Sequence, residues 1–245
     1  MIKVLYEDNH IIAVLKPAGL LTQGDRSGDK CLMDDVKDYL KQKYNKPGNV
    51  FLGLVHRLDK PVSGIVLFGK TSKGASRLSE LFREHTIQKT YNAIVVGKPT
   101  EEKGSIKEKV NKISFFAEGF TNKTDEELLA AIKGATKTRT AELDYEVLKS
   151  NEKYSLLKIL PKTGRFHQIR IQMNQMGCPI LGDVKYASDS IVRQMAGDWQ
   201  NRAEIALSAT AIVFKTGIVN SNTGLVEEKE VKLEIPLPEF WKKYI

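Results

Sequence analysis

The sequence has few cysteines and no long apolar run. Cys31 and Cys178 are its two cysteines, and they show no paired metal-ligand spacing, so neither a disulfide scaffold nor a zinc ribbon is expected. No apolar run approaches the roughly 20 residues that cross a bilayer. Glu7 and Asp8 come too early for a secretory signal peptide. We therefore expect a soluble, cytoplasmic protein without membrane contact.

Acidic residues are in deficit, with 30 against 38 basic residues and a formal net charge of +8. This excess suits a polyanionic partner, because neutralised phosphates release counterions. It is equally consistent with a solvated surface rich in lysine. The apolar fraction of 41% and the charged fraction of 28% are those of an ordinary globular protein.

Apolar patterns predict interspersed strands and helices without a regular βαβ rhythm. The predicted strands are Ile2–Glu7, Ile11–Lys16, Phe51–Val55, Gly64–Lys70, Tyr91–Val96, Thr140–Leu148, Tyr154–Leu160, Ile205–Phe214 and Val231–Ile235. Helices are predicted around Leu32 to Tyr44, from Thr71 to Glu84, and from Thr163 onward. We predict an α+β fold, one domain over residues 1–245 on a mixed, largely antiparallel sheet with flanking helices. Residues 100–138 are predicted to form an irregular polar excursion with a possible short helix at 125–133.

The third predicted helix carries an informative spacing. Ile169, Met173 and Met176 form an apolar stripe at i, i+4 and i+7. This arrangement places His167 and Arg170, three residues apart, together on an adjacent flank of the helix.

The segment HRLDKPVSG, residues 56–64, lies between two predicted strands. Its carboxylate, Asp59, stands between Arg57 and Lys60, and Pro61 and Gly64 favour a tight loop. Catalytic residues concentrate on loops that a rigid scaffold holds. Asp59 could equally cap a turn, as aspartate often does before proline or glycine. Spacing alone leaves both interpretations open.

Residues 53–64 closely resemble the signature of the RluA-type pseudouridine synthases, which is HRLD, two variable residues, Thr, Ser and Gly. Val62 departs from the threonine of that pattern. Further matches follow in the family's order, and they lie at 88–95, 163–170 and 179–183. The resemblance covers most of the chain from Val4 to Tyr186, and it implies a catalytic domain without the N-terminal S4-type module of many relatives.

The resemblance implies that the protein isomerises selected uridines of structured rRNA or tRNA to pseudouridine, with no cofactor. By family position, Asp59 is the essential carboxylate, Tyr91 lies beside the target base, and Arg170 is the cation paired with Asp59. These roles are chemically reasonable, because an ionised carboxylate can stabilise or trap the positive charge that develops on the sugar during glycosidic cleavage.

RNA is the expected partner of a protein that we expect to be a monomer. A buried uridine must be flipped out of its helix, and Arg57 is our candidate to occupy its place. Arg165 and His167 are candidate phosphate or base contacts at a helix start. For His167, a purely structural hydrogen bond is an equally good interpretation.

Two other functions are compatible with some of these residues. A non-catalytic RNA-binding protein could keep the fold and lose the chemistry, although Asp59, Tyr91 and Arg170 are intact. A metal-dependent phosphodiesterase could use His56, Asp59, His85 and His167. The sequence has no HxH or carboxylate cluster beside these histidines, so we expect no metal site.

Overall fold

The computed structural model describes residues 2–25, 28–110, 139–196, 199, 203–219 and 226–245. Strands and α-helices are numbered here in chain order. The strands are β1 Lys3–Glu7, β2 Ile11–Lys16, β3 Gly53–Leu54, β4 Ser63–Gly69, β5 Gln88–Val96, β6 Lys103–Val110, β7 Arg139–Ser150, β8 Tyr154–Pro161, β9 Leu207–Val219 and β10 Val226–Glu234. The helices are α1 Leu32–Lys43, α2 Ser72–Arg83, α3 Gln168–Gln175 and α4 Asp189–Ala196, and a 3₁₀-helix spans Glu239–Lys243.

The chain divides into two compact units, each with many contacts between its own residues. Unit 1 comprises Met1–Thr90 and Ser208–Leu237, and unit 2 comprises Tyr91–Leu207 and Pro238–Ile245. The boundaries fall inside β5 and at the first residue of β9. The assignment of one domain over residues 1–245 stays a prediction.

Unit 1 is built on the strand order β1-β2-β4-β9-β10, with the short β3 also pairing with β4. Neighbouring strands are antiparallel except β4 and β9, which pair in parallel through Ser63 with Ser208 and Gly64 with Ala209. The first two predicted strands are confirmed, and they pair as an antiparallel hairpin. Strand β3 is shorter than the predicted Phe51–Val55, and Phe51 is exposed.

Helix α2 covers the core of unit 1. Thr71 caps its first turn, because the Thr71 side chain accepts a hydrogen bond from the Gly74 N–H at 3.1 Å. Leu78 is fully buried, and Leu81 and Phe82 are partly buried against the same cluster. The members of this cluster come from β2, β4, α2, β9, β10 and the segment before β5: Ile11, Ala13, Ile65, Leu67, Leu78, Ile87, Ile212, Phe214 and Val231.

Unit 2 contains the antiparallel strand order β5-β8-β7-β6. Strand β6 corrects one prediction, because Lys103 to Val110 pairs regularly with β7 where an irregular excursion was expected. The pattern was missed because the face opposite Lys103, Lys107 and Lys109 carries Gly104 and Glu108, so the strand shows little apolar alternation. The rest of the predicted excursion, 111–138 with its possible helix, lies outside the described residues.

Helix α3 begins at Gln168, five residues later than predicted. The Gln168 side chain binds the segment before the helix: its Oε1 accepts from Thr163 Oγ1 at 2.7 Å and from the Arg165 N–H at 3.0 Å. His167 then has a left-handed backbone, with φ of 51°. The predicted apolar stripe is also only partly right, because residues 168–173 are all buried, Arg170 among them, whereas Met176 is half-buried.

The remaining elements fit the predicted class. Helix α4 was not predicted from the sequence. Near the C-terminus, Trp241 is buried at 1% exposure. The α+β fold on a mixed, largely antiparallel sheet is confirmed. Among the residues that the structure describes, no helix is long and apolar enough to span a membrane.

Candidate active site

Asp59 lies in the loop that joins β3 to β4, as the sequence predicted. The loop is tight, because the Val62 N–H donates to the Asp59 carbonyl at 3.0 Å. Asp59 is half-buried, whereas Arg57 and Lys60 on either side are exposed. The segment therefore places one carboxylate at the surface of unit 1 without closing it off from a ligand.

A buried lysine anchors this loop. Lys16, at the end of β2, is 0% exposed, and its Nζ donates to three carbonyls: Leu20 at 2.6 Å, Pro17 at 2.9 Å and Lys60 at 3.2 Å. The Gly19 N–H also donates to the Lys60 carbonyl, at 2.8 Å. The turn after β2 is thus bound to the residue that follows Asp59.

Thr22 binds the residue on the other side of Asp59. Its hydroxyl donates to the Leu58 carbonyl at 2.7 Å and accepts from the Leu58 N–H at 3.1 Å. Both residues are buried. Sequence reasoning missed Lys16 and Thr22, although the Lys16-Pro17 pair at the end of an apolar strand is a visible signal.

His56 ties the start of the loop to β4. Burial, reinforced by the charge of Lys89, lowers the pKa of His56 to about 3. The imidazole is therefore neutral at pH 7, and its Nε2 accepts the Leu67 N–H at 2.9 Å. The ring also packs on Phe82, with 4.7 Å between centroids. His56 is thus a structural residue of unit 1.

The loop ends at a position that requires glycine. Gly64 has φ of 131°, and a Cβ there would lie 2.4 Å from the Ala209 carbonyl oxygen. Next to it, Ser63 Oγ donates to Ser208 Oγ at 3.1 Å. The close parallel pairing of β4 with β9 therefore fixes where the Asp59 loop rejoins the sheet.

Electrostatics link Lys16 to Asp59. Burial lowers the pKa of Lys16 to about 8, and the Asp59 carboxylate opposes this shift. The ammonium is therefore still largely protonated at neutral pH. By the same interaction a charged Lys16 favours the ionised form of Asp59, which is the form that the predicted chemistry requires.

In unit 2, Arg170 is held by a carboxylate that the sequence reasoning did not single out. Its Nε and Nη2 donate to Asp183 Oδ2 at 2.6 Å and Oδ1 at 2.7 Å. The two residues are 5% and 2% exposed. Such a bidentate pair fixes the plane of the guanidinium, and the Arg170 Cζ also lies 5.0 Å from the Tyr186 ring centroid.

His167 lies at the start of α3, near Arg170 as predicted. Its Nδ1 is hydrogen-bonded to the Tyr186 hydroxyl, and its Nε2 lies 3.4 Å from Arg170 Nη1. Arg165 is half-buried, and its Nε donates to the Thr140 carbonyl at 3.0 Å. Tyr91 is half-buried on β5, opposite Ile159 of β8. Unit 2 thus brings Arg165, His167 and Arg170 into one segment.

The phosphodiesterase hypothesis requires a set of metal ligands, which the described residues do not supply. In that part of the chain, no three His, Cys, Asp or Glu side chains are grouped so as to hold a metal ion. His56 is committed to the Leu67 N–H, and His85 is exposed just after α2.

The family model described as RNA pseudouridylate synthase matches residues 10–175. This range is more than half of the chain, and it includes the Asp59 loop, Tyr91 and Arg170. The chain belongs to this family. It is therefore an RNA pseudouridine synthase, an isomerase, as the resemblance implied.

Similar proteins of this family cover nearly the whole chain. The ribosomal large subunit pseudouridine synthase C of Rickettsia bellii is 34% identical over 241 residues, which are 98% of this chain and 70% of that protein. The tRNA pseudouridine synthase C of Vibrio cholerae is 31% identical over 221 residues, which are 87% of this chain and 85% of that protein.

Solved structures share the fold of this pseudouridine synthase. The structure of human RNA pseudouridylate synthase domain containing 4 has a TM-score of 0.69 at 23% identity, covering 98% of this chain and 90% of that one. Human RNA pseudouridylate synthase domain containing 1 has a TM-score of 0.65 at 20% identity, covering 96% and 83%. At these identities the comparison shows the fold alone.

Proposed function

We propose that this enzyme converts specific uridines of structured rRNA or tRNA to pseudouridine through Asp59. The observation that carries the proposal is the Asp59 loop itself: a half-buried carboxylate whose neighbours on both sides, Leu58 and Lys60, are bound by Thr22 and Lys16. The choice of rRNA or tRNA follows the names of the relatives, in which both classes occur.

The reaction is an isomerisation, so the uridine gains and loses no atoms overall. The bond from uracil N1 to ribose C1′ breaks, C5 forms the new bond to C1′, C5 loses its proton and N1 takes one up. Positive charge develops on the sugar as the first bond breaks, and an ionised carboxylate stabilises or traps it. Attack on the sugar, attack on the base and removal of a sugar proton are three roles open to the same Asp59.

We include Tyr91 and Arg170 in the proposed catalytic set because each lies in a motif that resembles the family's. Tyr91 stacks beside the extruded uracil, near the C5 proton. Arg170 is proposed to pair with Asp59, keeping it ionised and oriented. This role needs a guanidinium of fixed orientation, and in unit 2 the Asp183 carboxylate holds the guanidinium of Arg170.

We propose three residues as RNA contacts. Arg57 is exposed and long enough to stack where the flipped uridine was, since flipping leaves a gap in the helix. Arg165 and His167 stand before α3, where N–H groups of the first turn favour phosphate. We further propose a monomeric, cytoplasmic enzyme, and light scattering on the purified protein would test the first of these two properties.

Tritium release from RNA labelled at uracil C5 tests the proposal. Wild-type protein and Asp59→Asn are compared on transcribed ribosomal and transfer RNA, in buffer containing chelator. Asp38→Asn is the matched control, because Asp38 is a mostly exposed carboxylate on α1. We expect release by wild type and the control and none by Asp59→Asn, whose RNA affinity stays near wild type.

The other outcomes are equally informative. Normal release by Asp59→Asn would overturn the assignment of Asp59. RNA binding by the wild type without release from either RNA class would favour the non-catalytic RNA-binding function instead.

A further inference from the structure

Phe166 is an exposed aromatic residue at the predicted RNA-binding segment. It is 46% exposed, so nearly half of its surface is accessible to a ligand. One face of its ring is stacked on His167, with 3.7 Å between centroids and 17° between planes. Since His167 covers that face, the exposed area of Phe166 lies on the opposite face and the ring edges.

The support beneath Phe166 is rigid. The His167 ring is hydrogen-bonded to the Tyr186 hydroxyl and packs edge-on against the Tyr186 ring. Tyr186 is buried, and the Arg170 guanidinium over its ring is fixed in turn by Asp183. A chain of fixed groups therefore runs from the interior of unit 2 to the exposed phenyl ring, so little side-chain entropy remains to be lost when a ligand stacks on it.

Two cationic residues adjoin members of this aromatic group in sequence. Arg165 directly precedes Phe166, and the contact of its Nε with Thr140 uses one of five N–H donors. The exposed Lys185 places its Nζ 5.6 Å from the Tyr186 ring centroid. An exposed aromatic face together with nearby cationic residues is the combination that binds single-stranded nucleic acid, with bases on the ring and phosphates on the cations.

We propose that Phe166 is a stacking platform for an unpaired base of the RNA, additional to the target uridine, with Arg165 and Lys185 contacting the adjoining phosphates. The inference rests on the proposed function, because it makes this segment part of the RNA site. Stacking accepts any base, since every base has a π-face. Phe166 therefore selects for an unpaired nucleotide, and so for loops over continuous helices.

Fluorescence anisotropy with two labelled RNAs tests the platform. The first RNA is a 12-nucleotide single strand of cytidine, and the second is a 12-base-pair G·C duplex. Phe166→Ala should weaken binding of the single strand by roughly 5- to 100-fold, and should change binding of the duplex less than about twofold. Phe166→Trp keeps a flat ring and should keep the affinity of the wild type.

Two controls isolate stacking from charge and from general exposure. Phe51→Ala removes a phenyl ring of similar exposure, 52%, from unit 1, and should change neither affinity. Arg165→Gln and Lys185→Gln should each lower the slope of log affinity against log salt by about 0.7, the value for one phosphate of a single strand. Phe166→Ala should leave that slope unchanged.

The platform would be overturned if Phe166→Ala lost equal affinity for both RNAs, or if it lost none. It would also be overturned if the wild-type protein did not bind the cytidine strand. Neither RNA contains uridine, so the binding contrast is independent of catalysis. If Asp59→Asn kept full tritium release while this contrast held, the catalytic assignment would fail and the platform would stand. If Asp59→Asn lost tritium release while the binding contrast was absent, the platform would fail and the catalytic assignment would stand.

Discussion

The Asp59 loop of unit 1 and the Arg170 segment of unit 2 each depend on a buried cation, but the two cations bind different partners. Lys16 donates to three neutral carbonyls. Arg170 donates through two nitrogens to the carboxylate of Asp183. The first arrangement fixes the path of a backbone, and the second fixes the plane of a side chain.

This difference predicts different consequences of losing each anchor. Removing a carboxylate from beside a buried guanidinium leaves an uncompensated charge in the interior. Removing an ammonium from beside carbonyls leaves neutral groups without their donor. Burying an unpaired neutral group costs less free energy than burying an unpaired charge. The protonation of the two cations also differs, because arginine stays charged at all ordinary pH values whereas burial lowers the pKa of Lys16 to about 8.

The largest effect is expected from Asp183→Ala. The variant removes the carboxylate that binds two nitrogens of the buried, charged Arg170, which should lower the free energy of unfolding by about 3–5 kcal/mol. Urea denaturation followed by circular dichroism measures this loss. Asp189→Ala on α4 is the control, because Asp189 is exposed. A loss no larger than that of the control would contradict the comparison.

The double variant Arg170→Met, Asp183→Leu separates stability from chemistry. Replacing both partners of a buried ion pair with apolar residues is often neutral or stabilising, so most of the lost stability should return. Turnover should not return, because Arg170 is absent, as in Arg170→Ala. Tritium release at the wild-type rate from this double variant would defeat the catalytic role of Arg170.

A smaller effect is expected from Lys16→Met. The three carbonyls lose their shared donor, which should lower the free energy of unfolding by about 1–3 kcal/mol. Turnover should fall with little change in RNA affinity, because the Asp59 loop loses its anchor at Lys60. Lys73→Met, at an exposed lysine on α2, should alter neither quantity. Unchanged turnover in Lys16→Met would show that the loop holds its shape without the ammonium.

Acid should affect unit 1 through His56. Its pKa is about 3 in the folded protein and 6.5 when unperturbed, so between these values the unfolded chain binds the additional proton. Stability from this residue is complete above pH 6.5 and falls as the pH falls below it, by up to about 1.4 kcal/mol per pH unit. His56→Gln keeps an acceptor that does not titrate. Its unfolding free energy, measured from pH 7 to pH 4, should fall less steeply than that of the wild type; equal slopes would contradict the assignment.

Much of the architecture could be predicted from local sequence. Helices α1 and α2 and strands β1, β2, β4 and β8 lie within one or two residues of their predicted positions, because apolar periodicity and the Thr71 cap act over a few neighbouring residues. The motif around Asp59 likewise indicates the family through the identity and order of its residues alone. Strand β6 was missed because Gly104 and Glu108 interrupt its apolar alternation.

The environment of the candidate site was decided by tertiary structure. Lys16 and Lys60 are 44 residues apart, and Thr22 and Leu58 are 36 apart. The sequence suggested that His167 and Arg170 share a helix flank, but the pairing of Arg170 with Asp183, 13 residues away, depends on how the chain returns after α3. The sequence alone therefore determined the family, the fold class and the identity of the candidate carboxylate. Which groups hold that carboxylate and Arg170 was decided by the folded chain, because a buried polar group takes whatever partner packing brings within hydrogen-bonding distance.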